Sequence, residues 1–279
     1  MPKQYQINFN LENNKIADLI VTDMCNMSCP FCIASYMLNK DKKTMSLDEI
    51  RDFAIPVLKS NGITHVGISG GEPSLLKHLP DICKMLKDNG FQVNIATNGY
   101  DMKILSECSF YVNYISLSLN FLSPNEINAF CKNINCQLRL HGLIWKGHYD
   151  TIEKITSLCK SIDPEVIIDF STLRTTNMWA SQYKNVLLDK SNKFIADHVL
   201  PENEFSKIAD SMSLTENGWI GDLNVDGRSI KVIFRDKTSS EVYEPTDRQL
   251  VVMYDRHVFH GFNDVIEHFM QSPQPEFCC

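Results

Sequence analysis

Three cysteines within eight residues limit most strongly what this chain can fold around. Cys25, Cys29 and Cys32 are spaced C-x3-C-x2-C, so one short loop can bring three thiols to a common point. Three thiolates can hold three corners of a [4Fe–4S] cube and leave its fourth iron open to a small molecule. A structural zinc site needs four ligands, and the sequence has no second C-x-x-C-like pair. Disulfide frameworks are typical of small secreted chains. The spacing therefore favours a cluster-binding loop over both alternatives.

The composition indicates an ordinary globular protein. At 279 residues the chain can bury a sizeable core as one barrel-sized domain, with or without an appendage. A net charge of −7, with Lys and Arg scattered, argues against a nucleic-acid partner. No apolar run approaches the roughly 20 residues of a membrane span, and residues 1–5 lack the apolar core of a signal peptide. Ten cysteines fit a reducing compartment, so we expect a cytoplasmic protein without a membrane partner.

Strand and helix signals alternate along the first 175 residues. The predicted strands are 16–22, 64–69, 91–96, 112–119, 137–144 and 165–170. The predicted helices between them are 46–60, 75–89, 102–108, 124–132 and 150–161, and Ser46 with Glu49 predicts a capping box at the start of the first. Later in the chain, Asp226-Gly227 predicts a hairpin that joins strands 219–223 and 229–235, and 249–254 is a further predicted strand. This alternation predicts a parallel sheet covered by helices, although periodicity alone does not separate a barrel from a doubly wound sheet. In either architecture the chemistry belongs at the carboxyl ends of the strands.

Polar motifs follow several of these strands. Gly70, Gly71, Glu72 and Pro73 end the second strand, where two glycines let the backbone approach a ligand and the carboxylate can receive a charged amine. The simpler interpretation is a strand-to-helix turn. Asn98 lies in a Thr-Asn-Gly sequence after the third strand, which is also typical of a turn with left-handed glycine.

The fourth and fifth strands carry further candidates. Alternation places Ser116, Ser118 and Asn120 on one face of the fourth strand, where hydroxyl and amide groups suit a ribose or a carboxylate. A neutral polar network inside the fold is the alternative. His141 and Leu143 lie on the fifth strand, and His141 is either a carboxylate partner or a buried imidazole with its own hydrogen bonds.

Together these motifs resemble those of the radical S-adenosylmethionine (radical SAM) superfamily. The resemblance rests on the cysteine spacing, on Phe31 just before the last cysteine, and on Gly-Gly-Glu-Pro one strand–helix unit later. The pattern is most similar to the molybdopterin-precursor cyclases and the viperin-like single-cluster members. It implies an α/β fold in which a partial (β/α)6 TIM-like barrel occupies residues 1–175. Residues 176–279 would form a C-terminal α+β extension or cap.

The resemblance also implies cofactors and roles. A [4Fe–4S] cluster and S-adenosyl-L-methionine (SAM) would be bound, and an external donor of the flavodoxin or ferredoxin type would supply electrons. Reductive cleavage of SAM would give a 5′-deoxyadenosyl radical that abstracts hydrogen from the substrate. The implied metal ligands are Cys25, Cys29 and Cys32. The implied SAM-binding residues are Phe31, Gly70, Gly71, Glu72, Pro73, Asn98, Ser116, Ser118, Asn120, His141 and Leu143.

The remaining cysteines bear on the substrate. No cysteine occurs between Cys159 and Cys278, so the ligands of the cysteine-rich SPASM extension of peptide-modifying relatives are absent. Residues 1–24 are also too few for a leader-peptide-binding domain. We therefore expect a small-molecule substrate, such as a metabolite, nucleotide or sugar. The alternatives are a peptide-modifying maturase or epimerase and a non-catalytic iron–sulfur protein. Cys278 and Cys279 are either a frayed tail or hydrogen donors to a substrate radical.

Overall fold

The core of the protein is an open eight-stranded sheet. The computed structural model describes residues 15–32, 34, 37–39, 41–163, 166–172, 197–198, 212–215, 218–225, 228–234, 249–261, 264–265 and 268–269. Six strands follow the predicted order: β1 (Ile16–Ile20), β2 (His65–Ser69), β3 (Gln92–Thr97), β4 (Tyr114–Ser118), β5 (Gln137–Ile144) and β6 (Ile167–Thr172). They pair in parallel, each with the next along the chain. The predicted α/β fold is confirmed.

Helices connect these strands. They are α1 (Leu47–Glu49), α2 (Ile55–Ser60), α3 (Leu79–Asp88), α4 (Met102–Cys108), α5 (Pro124–Cys131) and α6 (Ile152–Ser161). Ser46 and Ser123 each form a capping box with the glutamate three residues later, as the sequence predicts for Ser46. Helices α2–α6 each bury apolar residues against the sheet, which is the arrangement of a partial TIM-like barrel.

The first predicted helix differs from expectation in one turn. We expected one regular helix over residues 46–60, but a π-helical segment, Ile50–Ala54, separates α1 from α2. Pro56 follows immediately in α2. Proline has no amide proton, so it cannot donate to the carbonyl oxygen four residues earlier. The turn before it widens into the π geometry that usually appears as a single turn inside an α-helix.

The sheet is extended beyond β1 by a late part of the chain. β10 (Gln249–Met253) pairs with β1 in parallel, and β11 (Val258–Phe259) pairs with β10 in antiparallel. The sheet order is therefore β11-β10-β1-β2-β3-β4-β5-β6, and it does not close. The boundary at residues 175 and 176 stays a prediction, but this strand of the expected extension belongs to the barrel sheet.

A second sheet comes from the same late part of the chain. β7 (Met212–Thr215), β8 (Gly218–Val225) and β9 (Arg228–Phe234) form an antiparallel sheet, and the β8–β9 pair is the hairpin predicted through Asp226-Gly227. β9 lies against β6, and Val225 is buried in the main core. Among the described residues, every helix is too short or too polar to traverse a bilayer.

Two hydrophobic cores hold the fold. The main core fills the space between the helices and one face of β1–β6, and includes Leu58, Leu86 and Ile95, which are fully buried. A smaller core, here called the second core, lies on the β10 side of the molecule. It consists of Ile20, Met37, Val251, Met253, Tyr254, Val265 and Phe269. The second core therefore joins the segment around the cysteines to the last described part of the chain.

Candidate cluster and cofactor site

The three cysteines lie in a loop at the carboxyl end of β1. All three thiols are free and half-buried. The amide N–H of Cys32 donates to the carbonyl oxygen of Cys29 at 3.1 Å, and the N–H of Met27 donates to Sγ of Cys25 at 3.4 Å. An amide that donates to a sulfur stabilises the thiolate form that binds iron. The predicted ligands are thus brought together in one turn.

The electrostatics of this loop suit a polynuclear cluster. Burial raises the pKa of all three thiols, and the neighbouring Cys32 and Cys25 also help to raise the pKa of Cys29 to about 11. Thiolates so close together need positive charge between them, which iron supplies.

A buried carboxylate organises the chain around the cysteines. Asp23 is 0% exposed. Its carboxylate accepts three backbone N–H groups, from Asp41 at 2.7 Å, Lys42 at 2.9 Å and Lys43 at 2.7 Å. A carboxylate that accepts three amide hydrogen bonds fixes the segment that donates them. Asp23 therefore holds residues 41–43 beside the cysteine loop. Asp23 was not among the predicted site residues, although an acidic residue directly after the predicted strand 16–22 and two residues before Cys25 was a visible signal.

Asn39 clamps the first cysteine ligand. Its Oδ1 accepts the N–H of Cys25 at 3.1 Å, and its Nδ2 donates to the carbonyl oxygen of Cys25 at 3.3 Å. The backbone N–H of Asn39 donates to the carbonyl oxygen of Asp23 at 2.8 Å. Asn39 has a φ of 54°, a left-handed conformation that asparagine tolerates better than most residues. The residue type and the backbone turn together orient the peptide of Cys25.

The Gly-Gly-Glu-Pro loop packs directly on the cysteine loop. The N–H of Gly71 donates to the carbonyl oxygen of Thr22 and the N–H of Glu72 to that of Met24, both at 2.8 Å. A Cβ on Gly70 would lie 2.5 Å from the Thr22 oxygen, and one on Gly71 would lie 2.1 Å from the Met24 oxygen. We expected these glycines to admit a ligand. In the structure the space beside these glycines is occupied by the backbone of residues 22–24, which leads to Cys25. Their contact with a ligand stays a prediction.

The carboxylate of Glu72 joins the ends of β2 and β3. It is 1% exposed and accepts hydrogen bonds from the Ser74 N–H, the Thr97 hydroxyl and the Asn98 N–H. Pro73 is buried and opens a 3₁₀ turn, Pro73–Leu75. Asn98 in turn donates from Nδ2 to Oδ1 of Asn26 at 3.0 Å, which is between the first two cysteines. Amine binding by Glu72 stays a prediction. Its observed partners make it the link between the second and third strand ends.

The end of β4 differs from the expected alternation. Ser116 and Ser118 are half-buried on one face of β4, as predicted. The strand ends at Ser118, however, and Leu119–Phe121 forms a 3₁₀ turn, so strand alternation does not orient Asn120. Its Oδ1 accepts the N–H of Leu143 at 3.1 Å, and its buried Nδ2 has no hydrogen-bond partner among the residues that the structure describes. A buried amide with an unpaired donor is what a bound ligand with an acceptor atom would complete.

Aromatic contacts connect the cysteine loop to the far side of the sheet. The ring of Phe31 lies 5.2 Å from that of Trp145, which follows β5, and Trp145 stacks on His148 at 4.0 Å. The segment that follows β5 therefore lies next to the last cysteine of the loop. His141 is half-buried, with Nε2 3.2 Å from Oγ of Ser171. That contact agrees with the interpretation of His141 as an imidazole with its own hydrogen bonds.

The opposite flank of the cysteine loop is formed by the end of β10. Tyr254 is 2% exposed and belongs to the second core. Burial raises the pKa of its hydroxyl, and the carboxylates of Asp23, Asp41 and Asp255 raise it further. Tyr254 is therefore close to the carboxylate that organises the cysteine loop. Cys278 and Cys279, the predicted hydrogen donors, lie outside the described residues.

A group of polar side chains lies on the concave face of the sheet. A Cβ on Gly67 would lie 3.2 Å from Oδ1 of Asp18 and 3.3 Å from Nδ2 of Asn94. Burial raises the pKa of Tyr114, the nearby Arg139 opposes this rise, and the charge of Asp18 adds to it. In a flat sheet β1 and β4 would be roughly 14 Å apart, so these side chains converge because the sheet curves. This group was not identified from the sequence.

The fold and the site define a class of protein. An open parallel barrel carries three cysteines after its first strand, a Gly-Gly-Glu-Pro loop packed on them, and a polar concave face. The radical SAM superfamily has these features, and its profile matches residues 19–173. The chain belongs to the radical SAM superfamily. Enzymes of this superfamily use a [4Fe–4S] cluster and SAM, and the cysteine donors and the unpaired amide of Asn120 fit those groups.

Similar proteins carry several different names. A putative glycyl-radical enzyme activating enzyme of Methanocaldococcus jannaschii, MJ1227, is 33% identical over 170 residues, which cover 57% of this chain and 68% of that protein. An S-adenosylmethionine-dependent nucleotide dehydratase of Selenomonas ruminantium is 26% identical over 57% of this chain and 56% of its own length. A second putative activating enzyme, MJ1632, is 34% identical over 38% of this chain and 40% of its length. The chain thus spans about half the length of the last two relatives.

A solved structure shares the fold. Streptococcus suis SuiB bound to S-adenosylmethionine aligns with a TM-score of 0.56 and 13% identity, over 94% of this chain and 62% of SuiB. At that identity the likeness concerns the fold, and it extends beyond the six-strand barrel into the late part of this chain.

Proposed function

We propose that this protein is a radical SAM enzyme that abstracts hydrogen from a small, polar metabolite, nucleotide or sugar-like substrate. The observation that carries this proposal is the cysteine loop itself, in which three half-buried thiols follow a backbone that packs on the Gly-Gly-Glu-Pro loop and that Asn39 clamps at Cys25. A non-catalytic iron–sulfur protein has no use for a Gly-Gly-Glu-Pro loop packed on the cysteine loop.

The chain's own residues have three tasks in this proposal. Cys25, Cys29 and Cys32 would lose their protons and hold three irons. The Gly-Gly-Glu-Pro loop, the end of β4 and the loop after β5 would position SAM, with the unpaired Nδ2 of Asn120 as one donor. A cluster with SAM supplies one-electron, hydrogen-abstracting chemistry. The protein then orients the substrate and excludes water.

The concave face favours a small charged or polar substrate. Asp18, Asn94, Tyr114 and Arg139 are half-buried together below the carboxyl ends of the strands. They offer one negative group, one positive group and neutral hydrogen-bonding groups within a confined space. Such a set selects a small molecule with matching groups. The names of two kinds of relative, nucleotide dehydratase and GTP 3′,8-cyclase, agree with this substrate class.

A polypeptide substrate is the second candidate. MJ1227, which this chain matches over 68% of its length, is named a putative activating enzyme for a glycyl-radical enzyme. SuiB, which shares the fold, has been solved with its precursor peptide. A substrate of that size would contact the rim of the barrel more than Asp18 or Arg139.

The first experiment tests the enzyme class. The cluster is reconstituted under anaerobic conditions, and 5′-deoxyadenosine is measured after addition of dithionite and SAM. We expect it to form in the wild type, to be lost in Cys29→Ala, and to persist in Cys131→Ala, a matched thiol in α5 away from the cysteine loop. A fully loaded cluster that yields no 5′-deoxyadenosine with any substrate pool would favour the non-catalytic alternative.

The second experiment separates the substrate classes. Pools of nucleotides and sugars are compared with pools of peptides for stimulation of 5′-deoxyadenosine formation. We expect small polar molecules to stimulate it, and Arg139→Gln to raise KM for the stimulating compound at least tenfold while the unstimulated rate is retained. Stimulation by peptides alone, with Arg139→Gln unaffected, would support the second candidate.

A further inference from the structure

Three potential metal ligands meet on the β10 side of the molecule, away from the cysteines. Asp255 and His257 lie in the turn between β10 and β11, and His268 lies in the helical segment near the end of the described chain. One ligand atom from each side chain lies within 4.8 Å of the others. Three of the eight histidines of the protein fall between residues 257 and 268. This concentration of imidazole is not needed by the cluster or by SAM.

The hairpin places the first two ligands side by side. The N–H of Arg256 donates to the carbonyl oxygen of Met253 at 3.0 Å, and the N–H of Met253 donates to that of His257 at 2.9 Å. Arg256 has a φ of 69°, so the turn is tight and left-handed at that residue. As a result Nδ1 of His257 lies 3.1 Å from Oδ2 of Asp255. The backbone, rather than a flexible side chain, sets this pair.

The third ligand is held by ring packing. The imidazoles of His257 and His268 have centroids 4.3 Å apart, and Phe259 lies 5.3 Å from His268. Phe269, next to His268, is buried in the second core. The side chain of Asp255 is 15% exposed and that of His257 is 50% exposed. One side of the group is therefore packed against apolar rings, and the other is open to an ion from solvent.

The charges around the group favour a cation. The basic side chain of the turn, Arg256, donates from Nε to Oε1 of Glu49 at 3.1 Å, so its charge is directed to another carboxylate. Two imidazoles and one carboxylate are the ligands that borderline divalent ions such as Zn²⁺ accept. Ligand atoms around tetrahedral Zn²⁺ are roughly 3.3 Å apart, given bonds of about 2.0–2.1 Å. The three candidate ligand atoms, all within 4.8 Å of one another, have separations of the same order.

We propose that Asp255, His257 and His268 form a second metal site that binds one divalent transition-metal ion, with a coordination position left for water. The ion would tie the β10–β11 hairpin to His268, whose neighbour Phe269 is buried in the second core. Tyr254, the neighbour of Asp255, lies close to Asp23, which organises the cysteine loop. The second site would therefore brace the flank of the cluster loop. It does not depend on the identity of the substrate.

The test uses the holoenzyme and Zn²⁺. Cluster-loaded protein is equilibrated with Zn²⁺ and desalted, and zinc and iron are counted by mass spectrometry. The zinc environment is then read by X-ray absorption. We expect one zinc per chain with only nitrogen and oxygen neighbours, at unchanged iron content. His257→Gln and Asp255→Asn should weaken binding at least tenfold. His260→Ala, an exposed histidine three residues from His257, should bind normally.

Several results would overturn the proposal. One is no retained zinc in wild type. Another is equal retention in all variants. A third is sulfur in the zinc environment, which would assign the ion to cysteines instead. Equal competition by Ca²⁺ would show a site that uses carboxylate alone, because a hard cation does not prefer imidazole. His257 is half-exposed, so His257→Gln tests the site without disturbing a core.

Discussion

The two hydrophobic cores of this protein are assembled in opposite ways. The main core is built by consecutive strand–helix units, so most of its contacts join segments that are near neighbours in the sequence. The second core joins residues 20–37 to residues 251–269. The cysteine loop lies at the second core and is held by polar clamps from Asp23 and Asn39. The region that carries the chemistry thus depends on the long-range half of the fold, whereas the regular half supplies the scaffold.

The largest expected effect is that of Gly71→Ala, which disturbs the packing of the Gly-Gly-Glu-Pro loop on the backbone before Cys25. The added Cβ would lie 2.1 Å from the Met24 oxygen and 2.4 Å from its carbonyl carbon. Both are backbone atoms, so no rotamer change relieves the contact. We expect loss of more than about 3 kcal/mol of stability and no cluster retention. Iron content and denaturant unfolding measure both.

Gly90→Ala is the control on the other side of the comparison. Gly90 has a φ of 90°, and nothing lies within 4 Å of its added Cβ. Only the left-handed strain remains, about 1 kcal/mol. If both variants lost the same amount of stability and of iron, the close packing of the two loops would not explain why residue 71 is a glycine.

The next effect is that of Asp23→Asn. The amide nitrogen would face one of the three N–H donors that the carboxylate now accepts. We expect a loss of about 2–4 kcal/mol, since a buried polar group is left unpaired, and reduced cluster retention. Asp52→Asn, on the exposed helix surface, should leave both the unfolding midpoint and the iron content unchanged. Normal iron content in Asp23→Asn would remove the organising role given to this carboxylate.

A pair of cavity variants compares the two cores at equal cost. Leu86→Ala in the main core and Met253→Ala in the second core each remove a fully buried side chain, and each should cost about 2–5 kcal/mol. We expect iron loss at sub-denaturing urea to be faster in Met253→Ala than in Leu86→Ala. Equal rates of iron loss would mean that cluster retention depends on the stability of the whole fold and not on the second core in particular.

The smallest effect concerns the helix that follows the cysteine segment. Ser46→Ala removes the side chain that accepts the Glu49 N–H, and should cost about 1 kcal/mol by thermal denaturation.

The same cap gives a pH dependence. The backbone N–H of Ser46 is the main reason that the pKa of Glu49 is lowered, and the hydroxyl of Ser46 and the side chain of Arg256 lower it further. A lowered carboxyl pKa stabilises the fold above the unfolded value and loses that effect on acidification. The difference in Tm between wild type and Glu49→Gln should therefore shrink as the pH falls below about 4. A Tm difference that does not change with pH would contradict the stabilising role given to the Glu49 carboxylate.

The regular half of the molecule could be predicted from sequence because each of its units carries its own signals. The β5 strand and the α4 helix have the predicted bounds, and the Ser46 capping box is present. The α/β fold, the superfamily and its cofactors are confirmed, while the roles of individual SAM-binding residues stay predictions. Periodicity also found β10 as a strand, but not its partner, since register between distant strands leaves no local trace.

The clamps around the cysteines show what sequence patterns leave out. Asp23 and Asn39 act through backbone N–H and carbonyl groups, so no particular residue type at their partners marks the contact. The two loop glycines pack against the backbone of residues 22–24, a contact that the sequence did not indicate, while their approach to a ligand stays a prediction. Asn120 was assigned by strand alternation, which fails once the chain turns into a 3₁₀ segment. Each case depends on tertiary packing that alternation does not encode.

The pairing of β10 with β1 has a consequence for biosynthesis. β1 leads into the cysteine loop, but its outer neighbour is residues 249–253. During translation residues 249–253 are synthesised long after the cysteines. Until then, the N–H and C=O groups on the outer edge of β1 have no partner strand. Iron delivered before β10 pairs with β1 would bind to a cysteine loop that this part of the fold does not yet support. Stable cluster binding should therefore require that residues 249–253 have been synthesised and have paired with β1.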